Sequence, residues 1–381
     1  MKNFEVKTKI TFGENALARL KSLKTDKALI ITDPFVVSSG LIKHIEEPLK
    51  EANVQIVVYS DIVPDPPIEN VIKGVSFALK EMAGYIIAVG GGSAMDTAKA
   101  VRKFANSVVP EYKPKLICIP TTSGTGSEVT SFAVISDEKR NVKIPLLYDD
   151  MLPEEAILDE VLVKSVPASV TADTGMDVLT HAIEAYVSIN NNEFSGALAE
   201  KAVEICGQFL LRSYADNNDT HARRKVHIAS CLAGLAFNSA SLGLNHGMAH
   251  QLGARFHIPH GRANAILLPY IIEFNSNIRS SSKSQKEYAS CVRKYCNIAR
   301  ILGVSNLNEV TTIRAIVSYV QFMMQEMNMP LKVSQITGLD EDEYMASIES
   351  MAEAALNDTC TATNPRVPTK EEIIELYKKI W

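Results

Sequence analysis

GYIIAVGGGSAMDTAKAVRKFA, residues 84–105, joins two kinds of structure: an apolar strand ends in Gly90, Gly91 and Gly92, and Ser93 opens a helix, with Asp96 three residues on as in a capping box. Glycines at such a junction let a diphosphate approach the backbone. The free amides and the positive end of the helix dipole would attract it. A tight strand-to-helix turn accounts for the glycines equally well, because the GxGxxG spacing of the usual dinucleotide fingerprint is absent.

The flanking segments carry the same strand signal. KALIITD (27–33), NVQIVVYS (53–60), KLICIPTT (115–122) and FAVIS (132–136) are short β-branched runs separated by amphipathic helical stretches. Several are apolar at successive positions, as strands covered on both faces are, which predicts an open, mostly parallel sheet with flanking helices. After KLICIP, the segment TTSGTGS places Thr121, Thr122, Ser123, Thr125 and Ser127 beside two glycines. Two such loops at the ends of consecutive strands form a cleft along one sheet edge, where doubly wound folds bind ligands, and together they favour a dinucleotide over mere turns. Asp33, closing KALIITD, can accept hydrogen bonds from adenosine ribose hydroxyls and repel a 2′-phosphate, which favours NAD over NADP. It can equally cap the next turn, since Pro34 follows.

Beyond KSVPASVTAD the strand signal stops and helical patterns take over, at 170–188, 194–213, 220–239, 243–252, 262–278, 283–303, 309–327, 341–356 and 370–380. The expected organisation is therefore an α/β dinucleotide-binding domain over 1–167 and an all-α domain over 168–381. The chain has 381 residues, 46% of them hydrophobic, enough for two domains each burying its own core. A net charge of -5 gives no electrostatic footprint for nucleic acid or anionic membrane. Six cysteines without CxxC spacing fit a reducing compartment, and the N-terminus MKNFEVKTKITFGENAL lacks an apolar signal core, so a cytoplasmic location is expected.

The helical half concentrates the metal-binding chemistry. Asp177 and His181, in TADTGMDVLTHAIEAY, lie one helical turn apart and can reach one ion, although a capping pair would look the same. Downstream, NHGMAHQLGARFHIPHGRAN holds His246, His250, His257 and His260, half of the chain's eight histidines. A carboxylate with imidazoles and no nearby cysteine suits a catalytic divalent metal that binds and releases an oxygen ligand. His246 and His250 have HExxH spacing, but Gly247 stands where that motif needs its general base, which disfavours a metalloprotease. His260, between Pro259 and Gly261, sits at a helix start and can complete a site from a second segment. Spacing alone leaves open which of the four histidines bind.

GGGSAMDTAKA, PTTSGTGSEVT, TADTGMDVLTHAIEAY, HGMAHQLGARFHIPHGRANAILLP and CTATNPRVPT, in that order over nearly the whole chain, together resemble the iron-containing alcohol dehydrogenases. Within that family GARFHIPHGRANAILLP is most similar to the short-chain enzymes of propanediol and ethanolamine utilisation. The resemblance implies a dehydroquinate synthase-like plan, a dinucleotide-binding α/β domain followed by a helical metal domain. It implies Asp177, His181, His246 and His260 as metal ligands, and His250 as a catalytic group beside the nicotinamide. Gly91, Gly92 and Ser93 resemble the diphosphate loop, Thr121, Thr122 and Thr125 the second cofactor loop, and Lys143 a basic residue facing the cofactor. Asp33 is similar to the carboxylate that favours NAD. Asp65 stands in PDPP where many members have asparagine, so no cofactor contact is carried over there.

The activity this implies is hydride exchange between short-chain primary alcohols or aldehydes and NAD(H), with ferrous iron, or zinc in its place, as Lewis acid. Reduction of lactaldehyde or oxidation of 1,3-propanediol is the alternative, since Arg255 and His257 depart from related subgroups. A lyase of the dehydroquinate synthase type is a more distant alternative. The resemblance further implies a homodimer and association with a bacterial microcompartment.

Overall fold

The computed structural model describes residues 3–137, 142–277 and 289–381, which form two compact units, Met1–Val166 and Pro167–Trp381. In the first, strands β1 (Lys9–Phe12), β2 (Lys27–Thr32), β3 (Gln55–Tyr59), β4 (Tyr85–Gly90), β5 (Lys115–Pro120) and β8 (Glu155–Leu158) make one sheet in the order β1-β8-β5-β4-β2-β3. Every pairing in it is parallel. β6 (Phe132–Asp137) and β7 (Val142–Leu147) form a separate antiparallel pair. FAVIS is thus a strand, as expected, but it lies outside the parallel sheet.

The apolar runs have a direct physical origin. Successive residues of a strand face opposite sides, so Leu29, Ile31, Ile86, Ala88, Leu116 and Cys118 pack into one buried cluster while Ala28, Ile30, Ile87, Val89, Ile117 and Ile119 pack into another. The first cluster is closed by α3 (Ile68–Glu81) and α4 (Gly92–Val108) through Val71, Ala78, Met95, Ala98 and Val101. The second is closed by α2 (Lys43–Glu51) and the 3-10 turn Ala16–Ser22 through Ile45, Leu49, Leu17 and Leu20. A short helix, α1 (Pro34–Ser38), follows β2 directly.

Strand order reverses between β2 and β4: from β2 the chain moves outward to β3, then returns to β4 and continues to β5 on the opposite side. The crevice at the carboxyl ends of two such strands is the usual ligand site of an open α/β sheet. Asp33, Gly90–Gly92 and Thr121 all follow the carboxyl ends of their strands at this edge.

The second unit is helical throughout its described elements. α5 (Ala168–Val187), α6 (Glu193–Ala215), α7 (Thr220–Ala240), α8 (Leu244–Phe256) and α9 (His260–Ser276) are followed by helices Ala289–Ile301, Glu309–Glu326, Glu341–Leu356 and Lys370–Ile380. The expected helix over 283–303 is present from Ala289, and its earlier residues lie outside the described set. α5 is buried on nearly all sides, which is why it carries small and apolar residues around its circumference rather than one stripe. No single helix among the described residues is long and apolar enough to cross a membrane.

Candidate metal centre and cofactor loops

Asp177 and His181 project from the same face of α5, His246 sits in the first turn of α8, and His260 is the first residue of α9. One ligand atom from each lies within 4.8 Å of the other three. Asp177 Oδ1 is 4.0 Å from His181 Nε2, 3.7 Å from His246 Nε2 and 3.6 Å from His260 Nε2. Three of the four are buried and His260 stands at the open edge, with 40% of its side chain exposed.

One glycine lets α9 come this close to α5, and a second seats α8 against the Thr361–Thr363 turn. A Cβ at Gly261 would lie 1.9 Å from Asp173 O of α5, and one at Gly247 would lie 2.2 Å from Thr361 Oγ1. Each follows a histidine of the cluster, so the close backbone approach and the ligand position are set by neighbouring residues. Arg262 then pins α9 to α5 with a forked pair of bonds to Asp173, at 3.1 and 3.0 Å.

A second layer orients the first. Glu184, one further turn along the α5 stripe, accepts a hydrogen bond from Asn245 N at 2.8 Å and pairs with His246 Nδ1. That fixes the ring so that Nε2 faces Asp177, the arrangement in which a carboxylate raises the basicity of a metal-bound imidazole. Asn364 Oδ1 takes the neighbouring amide of Leu244 at 3.1 Å, so acceptors cover the start of α8. Asn264 Nδ2 donates to Asp177 Oδ1 at 2.8 Å and lies 3.1 Å from the Nε2 atoms of both His246 and His260. The sequence does single out the four clustered residues, but not Glu184 or Asn264.

The electrostatics favour a cation. Burial opposes the charge on Asp177, yet His181, His260 and His246 hold its carboxyl well below the usual carboxylate range. Burial likewise disfavours a charged His246, but Glu184 and Asp177 overcome it and push that imidazole up to about 9. Burial and the neighbouring histidines push His260 the other way, down to about 3, so the cluster offers an ionised carboxylate beside imidazoles that are not all protonated, a donor set suited to a divalent ion. One carboxylate and three imidazoles without a thiolate fit iron or zinc.

His250, one turn beyond His246, lies beside that ligand set but is not one of its four members. Its Nδ1 lies 2.8 Å from Asp358 Oδ2, and its ring stacks on His260 with centroids 5.5 Å apart. Burial would raise Asp358, but the bond from His250 holds its carboxyl below the usual range. Asp358 and Cys360 lie with His250 in a second group of three donors, in which burial pushes the Cys360 thiol up. A hydrogen-bonded His–Asp pair is the better description. His257 ends α8 in a left-handed conformation, φ 53°, and Arg255 reaches Ser347 Oγ at 3.2 Å.

In the first unit, the helix that begins at the glycines is α4, and its N-cap is Gly91, without a side-chain cap. The capping box expected of Ser93 and Asp96 is absent. The helix is capped two residues early, at Gly91, and Asp96 instead accepts bonds from Ser127 Oγ at 2.8 Å and Val134 N at 2.9 Å. The amides of the first turn are therefore left to a ligand or solvent. Gly91 and Gly92 face the second loop closely: a Cβ at Gly92 would lie 2.9 Å from Thr125 Cγ2, and one at Gly91 3.4 Å from Thr122 Oγ1. Gly90, at φ +152°, adopts a conformation L side chains rarely take, and a Cβ there would come within 3.2 Å of Asp33 Oδ2. Asp33 does cap α1, with Oδ1 accepting from Val36 N at 3.0 Å, which leaves Oδ2 beside the glycine loop. Lys143, on β7, is paired with Asp65 at 2.7 Å.

The family model for iron-containing alcohol dehydrogenases matches residues 7–160, and that for the C-terminal part of the same family matches residues 171–381. The 1-propanol dehydrogenase PduQ of Citrobacter freundii is 40% identical over 380 residues, covering all of both chains. The NADPH-dependent butanol dehydrogenase of Clostridium saccharobutylicum is 36% identical over 396 residues, covering all of this chain and 98% of its own. Among solved structures, a 1,3-propanediol oxidoreductase superposes with a TM-score of 0.90 at 30% identity over the whole of both chains. The chain belongs to the iron-containing alcohol dehydrogenase family. That membership sets aside the lyase alternative.

Proposed function

We propose that this chain interconverts primary alcohols and aldehydes of ethanol and 1-propanol size with NAD(H), using ferrous iron held by Asp177, His181, His246 and His260. The observation that carries the proposal is the convergence of one buried carboxylate and three imidazoles within 4.8 Å. Iron there supplies Lewis acidity that lowers the pKa of the alcohol hydroxyl, and NAD supplies the hydride acceptor. Zinc suits the same donors and binds such sites more tightly than ferrous iron, so the metal is fixed by elemental analysis of anaerobically purified protein.

The chain's own residues do the rest. His250 exchanges the proton at Nε2, because Asp358 engages Nδ1 and holds the ring in one orientation. Amides of Gly91, Gly92 and Ser93 at the start of α4 receive the diphosphate, with the hydroxyls of Thr121, Thr122 and Thr125 alongside. Lys143 adds positive charge towards the cofactor. Asp33 accepts ribose hydroxyls through Oδ2 and repels a 2′-phosphate, which supports NAD here although the butanol dehydrogenase relative is named for NADPH.

The 1-propanol dehydrogenase relative supports the substrate size. The likeness to a 1,3-propanediol oxidoreductase supports the second reading, action on 1,3-propanediol or lactaldehyde. Homodimer formation, cytoplasmic location and microcompartment association belong to the same proposal, supported by the motif resemblance to propanediol-utilisation enzymes. The test is NADH oxidation by iron-loaded protein with propionaldehyde, acetaldehyde and lactaldehyde, before and after chelation. Saturable turnover that chelation abolishes is expected, and its absence with iron present overturns the proposal. His250→Ala is expected to keep its iron and lose rate; a variant purified without iron would move His250 into the ligand set.

A further inference from the structure

One face of α4 carries a buried lysine and a partly buried aspartate that the proposed chemistry does not use. Lys99 is fully buried, and its Nζ donates to Ser127 Oγ at 2.7 Å, Thr130 Oγ1 at 3.1 Å and Phe132 O at 2.8 Å. All three ammonium protons have an acceptor. Asp96, one turn nearer the glycines, accepts from Ser127 Oγ and from Val134 N at 2.8 and 2.9 Å. Ser127 therefore receives a proton from the lysine and gives one to the aspartate, so the three side chains close a charge-balanced network.

Taking two charges out of water costs several kcal/mol per ion, and an apolar pair of similar volume is often as stable or more so. A network of this kind is better suited to fixing geometry, because five directional bonds define one register whereas apolar contacts tolerate sliding. What it joins is specific. Its helical end lies within two turns of the Gly91–Ser93 amides, and its other end is the 127–134 segment that leaves the Thr121–Thr125 loop.

We propose that Asp96 and Lys99 are positioning residues for the dinucleotide: they lock the 127–134 segment onto α4 and so preset the spacing between the diphosphate amides and the threonine loop. The inference rests on the dinucleotide reading of the two loops. Lys99 is fully buried and the Asp96 carboxylate is taken up by Ser127 and Val134, so neither is expected to touch the cofactor itself.

The test uses the full, iron-loaded chain with Lys99→Met, Asp96→Asn and Ser127→Ala, measuring NADH affinity by fluorescence titration alongside iron content and kcat at saturating NADH. The expected result is an NADH Kd raised about tenfold or more, a much smaller change in kcat, and unchanged iron. If Lys99→Met does not fold, Ser127→Ala, which deletes only the shared hydroxyl, answers the same question. Variants that melt earlier but bind NADH as the parent does would make the network merely structural and overturn the proposal. A parent chain that bound no NADH at all would instead remove the loop reading beneath it.

Discussion

In the first unit the groups offered to a ligand are mostly backbone amides and small hydroxyls at the carboxyl ends of parallel strands, while in the second they are side-chain donors carried by α5 and by the consecutive helices α8 and α9. The sheet brings its loops together by topology alone, because parallel strands deliver every carboxyl end to the same edge. The helices have no such rule. Their convergence depends on a particular close approach of α9 to α5 at Gly261, and on partners such as Glu184, which turns the His246 ring. Single side-chain changes around the loop site should therefore shift dinucleotide affinity or choice by degrees, whereas the helical site should fail when one group is removed.

The largest expected effect tests that fragility. Asp177→Asn or His246→Ala is expected to lose the metal and lower turnover by about 10³-fold or more, since several kcal/mol of charge stabilisation leave with it. NADH affinity, a property of the other unit, should stay within about twofold. A metal-depleted variant that also lost NADH binding would break the proposed independence of the two sites.

Next comes the orienting layer. Glu184→Gln keeps the shape of the side chain but removes the charge beside His246, and metal affinity is expected to fall by about 10–100-fold, as when such outer partners are changed elsewhere. A competition titration with a chelator of known affinity gives the number. An unchanged affinity would mean that helix packing alone orients the ring.

In the loop unit, Asp33→Ser retains an oxygen able to cap α1 while deleting the carboxylate beside Gly90. The ratio of kcat/KM for NADPH to that for NADH should rise about tenfold or more, as repulsion of the 2′-phosphate is relieved. An unchanged ratio would assign the discrimination to another group.

How much of this was legible in the sequence follows from the same contrast. β2, β4 and β5 announce themselves because strands buried on both faces read as apolar runs, whereas β1 is a four-residue edge strand, KITF, with alternating polarity, and gives no such signal. The alternation of burial along β6 is the pattern of a strand covered on one face, which fits its place in the hairpin rather than the main sheet. Asp96 misled because S-x-x-D is a local signature, and its hydrogen bonds here are tertiary. The carboxylate and the histidine cluster stood out by chemical type, and the family resemblance picked Asp177, His181, His246 and His260 out of it. Glu184 carried a faint signal, since with Asp177 and His181 it completes an i, i+4, i+7 stripe, and Asn264 lies four residues after His260 on one face. Asp358 had none: it meets His250 across 108 residues, through folding alone.

The smallest expected effect concerns the buried network of the loop unit, where Glu128 has 1% of its surface exposed and no hydrogen-bond partner for either carboxylate oxygen. Burial pushes its carboxyl up from 4.5 to about 7, against the opposing pull of its own backbone amide and of Lys99. For an acid raised in the folded state, the unfolded chain releases its proton first as pH rises. Stability is therefore full below 4.5, is lost between 4.5 and about 7, and is level above, with a total of about 3 kcal/mol as an upper bound. Glu128→Gln abolishes the titration but leaves a buried polar group of similar shape. Its melting temperature relative to the parent should accordingly rise by a few °C between pH 5 and pH 8, at about 2–4 °C per kcal/mol for a unit of this size. A difference that stays constant across that interval would show that Glu128 is ionised throughout and shares the Lys99 charge with Asp96. The charge balance of the network would then have to be redrawn, with two carboxylates facing one ammonium.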